Sequence, residues 1–408
     1  MENIKIIIRR NMRQYAMLMA LIAITILFQI LTKGILLRPI NVHRLILQNS
    51  YILILSIGMM FCILSGGNID LSVGSIVALI GAASALFSVS MGLPVTLSIF
   101  LSLLLGVLVG MWQGFWIAYV KIPSFIVTLA GMLVFRGVNN LILNGETIAL
   151  PALYVRIASG SIPDFIGGGG RLHITTILIG LICSIIYVAL QYVERRNKIR
   201  YNFQVMPFSG FVIQLSVAFI TINLFALWLA RANGLPYIII ILMVLILVYS
   251  FIANKTVVGR HIYAMGGNAK TAELSGVKTK KVLFWVYANM GLLAAVAGIV
   301  FSGRLNSASP IAGDGFELDA IAACFIGGAS ASGGIGTVPG AIIGGFIMGI
   351  LNNGMSIMGI SVFWQKIVKG LVLLLAVAFD VYSKSKSKSK ISYKMGGKKN
   401  ERILRGNA

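Results

Sequence analysis

Two carboxylates stand where a carboxylate is expensive. Asp70 lies in Gly66-Gly67-Asn68-Ile69-Asp70-Leu71-Ser72-Val73-Gly74, and Asp319 follows Gly313-Asp314-Gly315-Phe316-Glu317, each between strongly apolar runs. A charge at the centre of a membrane helix costs about 2.5–3.5 kcal/mol on insertion scales, so such residues are retained for a reason. Either carboxylate reads as a helix cap accepting backbone N–H bonds, or as a group facing a polar path, and the residues alone leave both open. Gly327-Gly328 break the apolar run that begins near Asp319. Interrupted apolar segments in both halves of a chain point to a path through the bilayer, because unwound backbone survives only where it lines a cavity or is buried in protein. Asn68, Asp70 and Ser72 in the first interruption, and Phe316, Asp319, Gly327 and Gly328 in the second, are the candidate path residues.

The longest internal polar segment, residues 254–281, offers a different kind of site. It contains Gly259, the run Gly266-Gly267-Asn268, and then Glu273-Leu274-Ser275-Gly276. Asn268 is a good N-cap and Gly276 a good C-terminal stop, which predicts about two turns of helix between them. At 1.5 Å per residue that is a rod of roughly 10 Å, suited to passing force from a docked partner into the flanking apolar segments, though an ordinary capped loop helix has the same sequence. Other chemistries find no support. Gly396-Gly397-Lys398-Lys399 lacks the upstream glycine and the hydroxyl of a phosphate-binding loop, so no bound ATP, Mg or other cofactor is expected in this chain. Cys62, Cys183 and Cys324 are dispersed in apolar sequence, and His43, His173 and His261 share no ligand spacing. Enzymatic activity is therefore not expected.

The elements that must hold these residues follow from composition. The chain has 408 residues, 58% hydrophobic and only 11% charged, against roughly 25% charged in a soluble domain. Its mean hydropathy is +0.93. No soluble globule hides that much apolar surface, and the fold class is an all-α polytopic membrane protein. Charge and Pro/Gly punctuation divide it into about twelve spans: 15–37, 45–64, 75–90, 94–120, 122–143, 172–193, 210–230, 236–253, 282–302, one opening near Asp319, 339–357 and 363–382. The net charge of +23 is carried largely by the N-terminal segment, 195–200, 255–281 and the tail after Asp380. An even number of crossings puts all four clusters and both termini in the cytoplasm, so the excess reads as topology and no nucleic-acid partner is expected. The first apolar run is too long for a signal peptide and lacks its cleavage site. Arg136, Lys366 and Lys369 lie near span ends, where they are expected to snorkel to the interface. The expected divisions are a cytoplasmic N-terminus (1–14), a transmembrane region (15–382) with the cytoplasmic loop 254–281, and a basic cytoplasmic tail (383–408).

Six stretches carry a resemblance. They are 66–74, Ile-Pro-Ser-Phe-Ile-Val-Thr-Leu (122–129), Gly-Arg-His-Ile-Tyr-Ala-Met-Gly-Gly-Asn (259–268), Ala-Glu-Leu-Ser-Gly-Val (272–277), Gly-Phe-Glu-Leu-Asp-Ala-Ile-Ala-Ala (315–323) and Phe-Trp-Gln-Lys-Ile-Val-Lys-Gly (363–370). In this order they resemble the membrane permease of bacterial monosaccharide ABC importers, the ribose, xylose and galactose group, over most of residues 45–382. The resemblance implies a bacterial cytoplasmic-membrane location, a homodimer in membrane lipid, an ABC ATP-binding subunit that binds ATP and Mg, and an extracytoplasmic sugar-binding protein. It makes Gly259, Gly266, Gly267, Asn268, Glu273, Ser275 and Gly276 candidates for coupling to the ATPase, and it adds Phe125 to the path residues. Common members have ten spans. Here residues 171–233 carry two additional helices, an insertion similar to that of xylose-type and multiple-monosaccharide permeases, which points to xylose or a mixed pentose and hexose set. The rival readings are a permease for branched-chain amino acids or another small solute, and an ion-coupled carrier.

Overall fold

The computed structural model describes residues 12–167, 172–203 and 205–382. The basic tail, most of the N-terminal basic segment and most of the glycine run 167–170 lie outside the described residues.

Each expected span contains a helix: α1 (Met12–Leu31), α2 (Pro39–Leu64), α3 (Val73–Ala85), α4 (Val95–Ala118) and α5 (Ser124–Leu143). A short strand β1 (Ile148–Ala149) and a small helix α6 (Ala152–Ser159) precede the inserted pair α7 (Ile174–Arg200) and α8 (Phe208–Ala230). Then come α9 (Tyr237–Lys255), α10 (Val257–Gly267), α11 (Ala269–Leu274), α12 (Thr279–Leu305), β2 (Ser307–Ala308), α13 (Phe316–Ile326), α14 (Val338–Ile357) and α15 (Val362–Tyr382). Among the described residues ten helices are long and apolar enough to cross a membrane. The other two expected spans differ in kind: the apolar part of α1 is the shorter Ala16–Leu31, and α13 has 11 residues and ends at Gly327. The glycine pair thus stops a half-length helix, and the chain turns back through 328–337 into α14.

The core sits around α2, which is buried from Tyr51 to Leu64 and packs against α9, α12, α13 and α14. This explains its near-continuous apolar sequence: a helix enclosed by others is hydrophobic on every side. A close helix crossing joins α4 to α12. A side chain at Gly106 or Gly110 would run into Gly291, Ala295 or the backbone of Tyr287 and Ala288. Backbones approach this closely in bilayers through small residues, since apolar burial alone does not drive helices together in lipid. By contrast α7 and α8 pack on each other and expose most of their apolar side chains, which is the pattern of a lipid-facing hairpin. Antiparallel pairing of β1 with β2 ties the segment after α5 to the end of α12.

Candidate functional site

The polar segment 254–281 is two helices rather than one. Asn268 caps α11 as its sequence predicts, accepting from the Thr271 amide at 3.0 Å, and Gly276 ends it with φ +87. Glu273 is exposed on α11, and Ser275 donates back to the Thr271 carbonyl. The additional helix, α10, was signalled by a Thr256 cap, whose hydroxyl accepts from the Gly259 amide at 3.2 Å, and by a buried stripe of Gly259, Ile262, Met265 and Gly266.

That stripe seats α10 on both interrupted segments. A side chain at Gly266 would strike the Leu64 carbonyl and the Gly334 backbone. The Gly334 amide donates to the Leu64 carbonyl at 3.0 Å, and the Tyr263 hydroxyl donates to the Gly336 carbonyl at 2.7 Å. Gly67, with φ +74, lies against Ala331 so closely that only glycine fits. The end of α2, the turn after α13 and the face of α10 therefore form one contiguous backbone junction. Gly267 is different, since nothing lies within 4 Å of a side chain placed there.

Inward from this junction, Asp70 is fully buried. It does not cap α3 directly. Its Oδ1 accepts from the Ser72 amide (2.9 Å) and hydroxyl (2.6 Å), and Gln113 of α4 donates to the same hydroxyl. A buried carboxylate must be hydrogen-bonded to be tolerated, and here the bonds also close the 66–72 turn and fasten it to α4. Asn68 donates to the Ser65 hydroxyl at 3.1 Å.

Asp319 lies in the first turn of α13 yet caps nothing. Its carboxylate takes the Tyr51 hydroxyl (3.1 Å) from α2 and the Lys369 ammonium (3.0 Å) from α15. Phe316 stacks on the Tyr51 ring at 3.8 Å between centroids, with Phe301 edge-on. Nearby, Lys366 pairs with Asp314 at 2.8 Å. Asp314 stands in the loop before α13, and the Lys366 hydrogen bond and charge hold its carboxyl below the usual range. Arg136 donates to the carbonyls of Pro310 and Ala312, and Asn139 to Pro310 at 3.1 Å. Lys369 therefore turns inward to a buried partner rather than snorkelling, while Arg136 and the exposed Lys366, near their span ends, also meet partners that folding brings to them. Tyr51, Gln113, Tyr263, Lys366 and Lys369 are the site residues that local reading missed. The one available signal was the i, i+3 spacing of the two lysines, which puts them on one face.

The structure thus gathers Asn68, Asp70 and Ser72 near the α4 contact, and Phe316 and Asp319 beside α2. Gly327, buried against Gly340, and half-buried Gly328 lie at the turn toward α14. Phe125 stands apart, 56% exposed on the outward face of α5.

Comparison with known proteins follows the same geography. The family of branched-chain amino acid transport system permease components matches residues 41–151 and 168–377. The xylose transport system permease protein XylH of Escherichia coli (strain K12) is 42% identical over 379 residues, 92% of this chain and 94% of the relative. That of Haemophilus influenzae is 40% identical over 377 residues, 92% and 98% of the two chains. The ribose import permease protein RbsC of Bacillus subtilis is 36% identical over 369 residues, 90% and 93%. No solved structure matches the chain. The match to the family model runs from α2 through α15 and spans both interrupted segments and the α10–α11 junction, and the chain belongs to this family of multi-pass membrane permease components.

Proposed function

We propose that the chain is the transmembrane subunit of an ATP-driven importer for a monosaccharide, xylose or a mixed pentose and hexose set. The supporting observation is the junction in which α10 rests on the Leu64 turn and the Gly334 loop at once. A partner that displaces α10–α11 displaces both interrupted segments together, which is what alternating access requires of a coupling element. In this reading Gly259 and Gly266 seat the coupling helices, Asn268 and Gly276 fix the ends of α11, and Glu273 and Ser275 face the ATP-binding subunit. The extended backbone at Asn268 makes the bend between the two rods, and Gly267 leaves open space beside it. Two copies of the chain enclose the path, with Asn68, Asp70, Ser72, Phe316, Asp319, Gly327 and Gly328 positioning its walls and Phe125 on the outer face of α5 toward the second copy. ATP and Mg belong to the ATP-binding subunit and sugar affinity to an extracytoplasmic binding protein. The resemblance of the insertion α7–α8 to that of xylose-type permeases, and the 42% identity to a xylose permease, favour a sugar over a branched-chain amino acid.

The test is uptake of radiolabelled xylose into proteoliposomes holding this chain, its ATP-binding subunit and the sugar-binding protein. Uptake is expected only with ATP inside the nucleotide-accessible compartment and with the binding protein present. Uptake without the ATP-binding subunit, driven by a proton or sodium gradient, contradicts the proposal.

A further inference from the structure

A cleft of about 560 Å³ opens beside α10 and the Gly276 turn, between the end of α9 and the start of α12. We propose that it holds one anionic phospholipid, the phosphate on Lys278 and Lys281 and an acyl chain laid between the two helices. The occupant follows from depth, lining and charge.

The deep end lies within the spans. Tyr249 stands about 9 Å before the end of α9 and Asn289 about 15 Å beyond the start of α12, at 1.5 Å per residue. The two close that end on each other, Tyr249 donating its hydroxyl to the Asn289 side-chain oxygen, so the tyrosine hydroxyl is spent within the fold and the wall beside it is mainly apolar. Between floor and mouth the walls are Phe61, Ile252, Ile262 and Val286. At the mouth Val258 and Trp285 are 54% and 51% exposed, an apolar patch with an indole at the level where amphipathic rings favour the membrane–water interface. A protein partner approaching from the cytoplasm would have to push apolar groups well into the hydrocarbon to fill such a slot. A lipid tail is already at that depth.

The rim is cationic. Lys278 and Lys281 are exposed, no carboxylate lines the cleft, and among the described residues none forms an ion pair with either lysine. Each cation near a membrane surface attracts anionic headgroups, and a basic pocket between helices on the cytoplasmic side suits a phosphate. The site touches α10 through Val258, His261 and Ile262, so an occupied cleft braces the same helix that rests on the Leu64 and Gly334 junction.

Trp285 reports directly on occupancy. The test titrates the detergent-solubilised full chain with phosphatidylglycerol brominated on its acyl chains, and separately with phosphatidylcholine brominated alike. Subtracting the emission of a Trp285→Phe variant isolates the quenching of Trp285. Half-quenching is expected at about thirtyfold less phosphatidylglycerol than phosphatidylcholine, the scale set by two interfacial lysines. Lys278→Gln with Lys281→Gln should bring the two lipids together, while Lys278→Arg with Lys281→Arg should keep them apart. In the unmodified chain, unbrominated phosphatidylglycerol should relieve the quenching where unbrominated phosphatidylcholine does not, which reads the preference without any variant. Equal quenching by both lipids, the mark of a non-specific annulus, overturns the proposal, as does a preference that survives in the glutamine pair. So does Trp285 emission that ignores brominated lipid and moves only when the ATP-binding subunit is added.

Discussion

Replacing Lys369 by methionine isolates a buried ion pair that joins α15 to α13. Asp319 is 1% exposed and the Lys369 ammonium lies 3.0 Å from its carboxylate, its own side chain 23% exposed. Removing one partner of a buried pair leaves a charge that the surroundings cannot solvate, at a cost of about 3–5 kcal/mol. The partial exposure of Lys369 and the remaining Tyr51 hydrogen bond place Lys369→Met at the lower end of that range, about 3 kcal/mol. Asp319→Leu in the same background removes the stranded charge and should recover most of the loss, for a coupling energy of about 2–3 kcal/mol. Lys366→Met is the control: its pair with Asp314 has side chains 63% and 67% exposed, and exposed pairs contribute about 1 kcal/mol or less. The assay is equilibrium unfolding of the four cycle members and the control in mixed micelles. Lys369→Met costing under about 1 kcal/mol, or a double variant no better than the sum of the singles, refutes the claim that this pair fastens α15 to α13.

Other predictions concern α10–α11 and the loop before α7. Gly266→Ala should cost about 1–3 kcal/mol because its methyl meets backbone on two sides, whereas Gly267→Ala, in open space, should stay within about 0.5 kcal/mol; equilibrium unfolding compares the two. Asn268→Ala removes the α11 cap, worth about 1 kcal/mol, and should speed amide exchange at 271–274 about fivefold with little effect on global stability. Asp164, in the loop before α7, accepts from Thr175 (hydroxyl 2.7 Å, amide 3.1 Å) and from the Gly167 and Ile174 amides. These bonds, the Thr175 hydroxyl first, hold its carboxyl well below the ordinary aspartate range. Because the folded-state value is depressed, the stabilisation is complete above the ordinary value near 4 and is lost as pH falls through the lowered one. The start of α7 should therefore keep its protease resistance unchanged from pH 7 to 5, and Asp164→Asn should weaken it at both.

The order and position of the helices were legible because hydropathy in a bilayer protein is dictated by the solvent, and the expected span limits fall within a few residues of most helix ends. Asn268 and Gly276 were legible for a local reason, since capping and left-handed stops depend on adjacent residues only. What escaped was nonlocal or partial. Lys369 meets Asp319 fifty positions away, and a lysine in an apolar helix looks the same whether it snorkels or pairs. Tyr51 and Gln113 read as ordinary members of apolar helices until α13 and the Asp70 turn pack on them. The half-length of α13 was hinted at by Gly327-Gly328, but the composition of α13 is that of a full span. Helix α10 was hidden inside a polar segment because half of its buried face is glycine, which has no hydropathic signature: Gly259 and Gly266 count as seats for backbone only once Ala253, Leu64 and Gly334 are in place.

The central claim is that an ATP-binding subunit docks on α10–α11. Co-expression of the chain with that subunit, affinity capture through the chain in detergent, and quantitation of the captured ATPase test it directly. The account predicts a stoichiometric complex that is lost on Glu273→Lys and on Gly276→Val, with both variant chains still folded and monodisperse. Capture that is undiminished in both variants, or a folded chain that captures no ATPase, would contradict it.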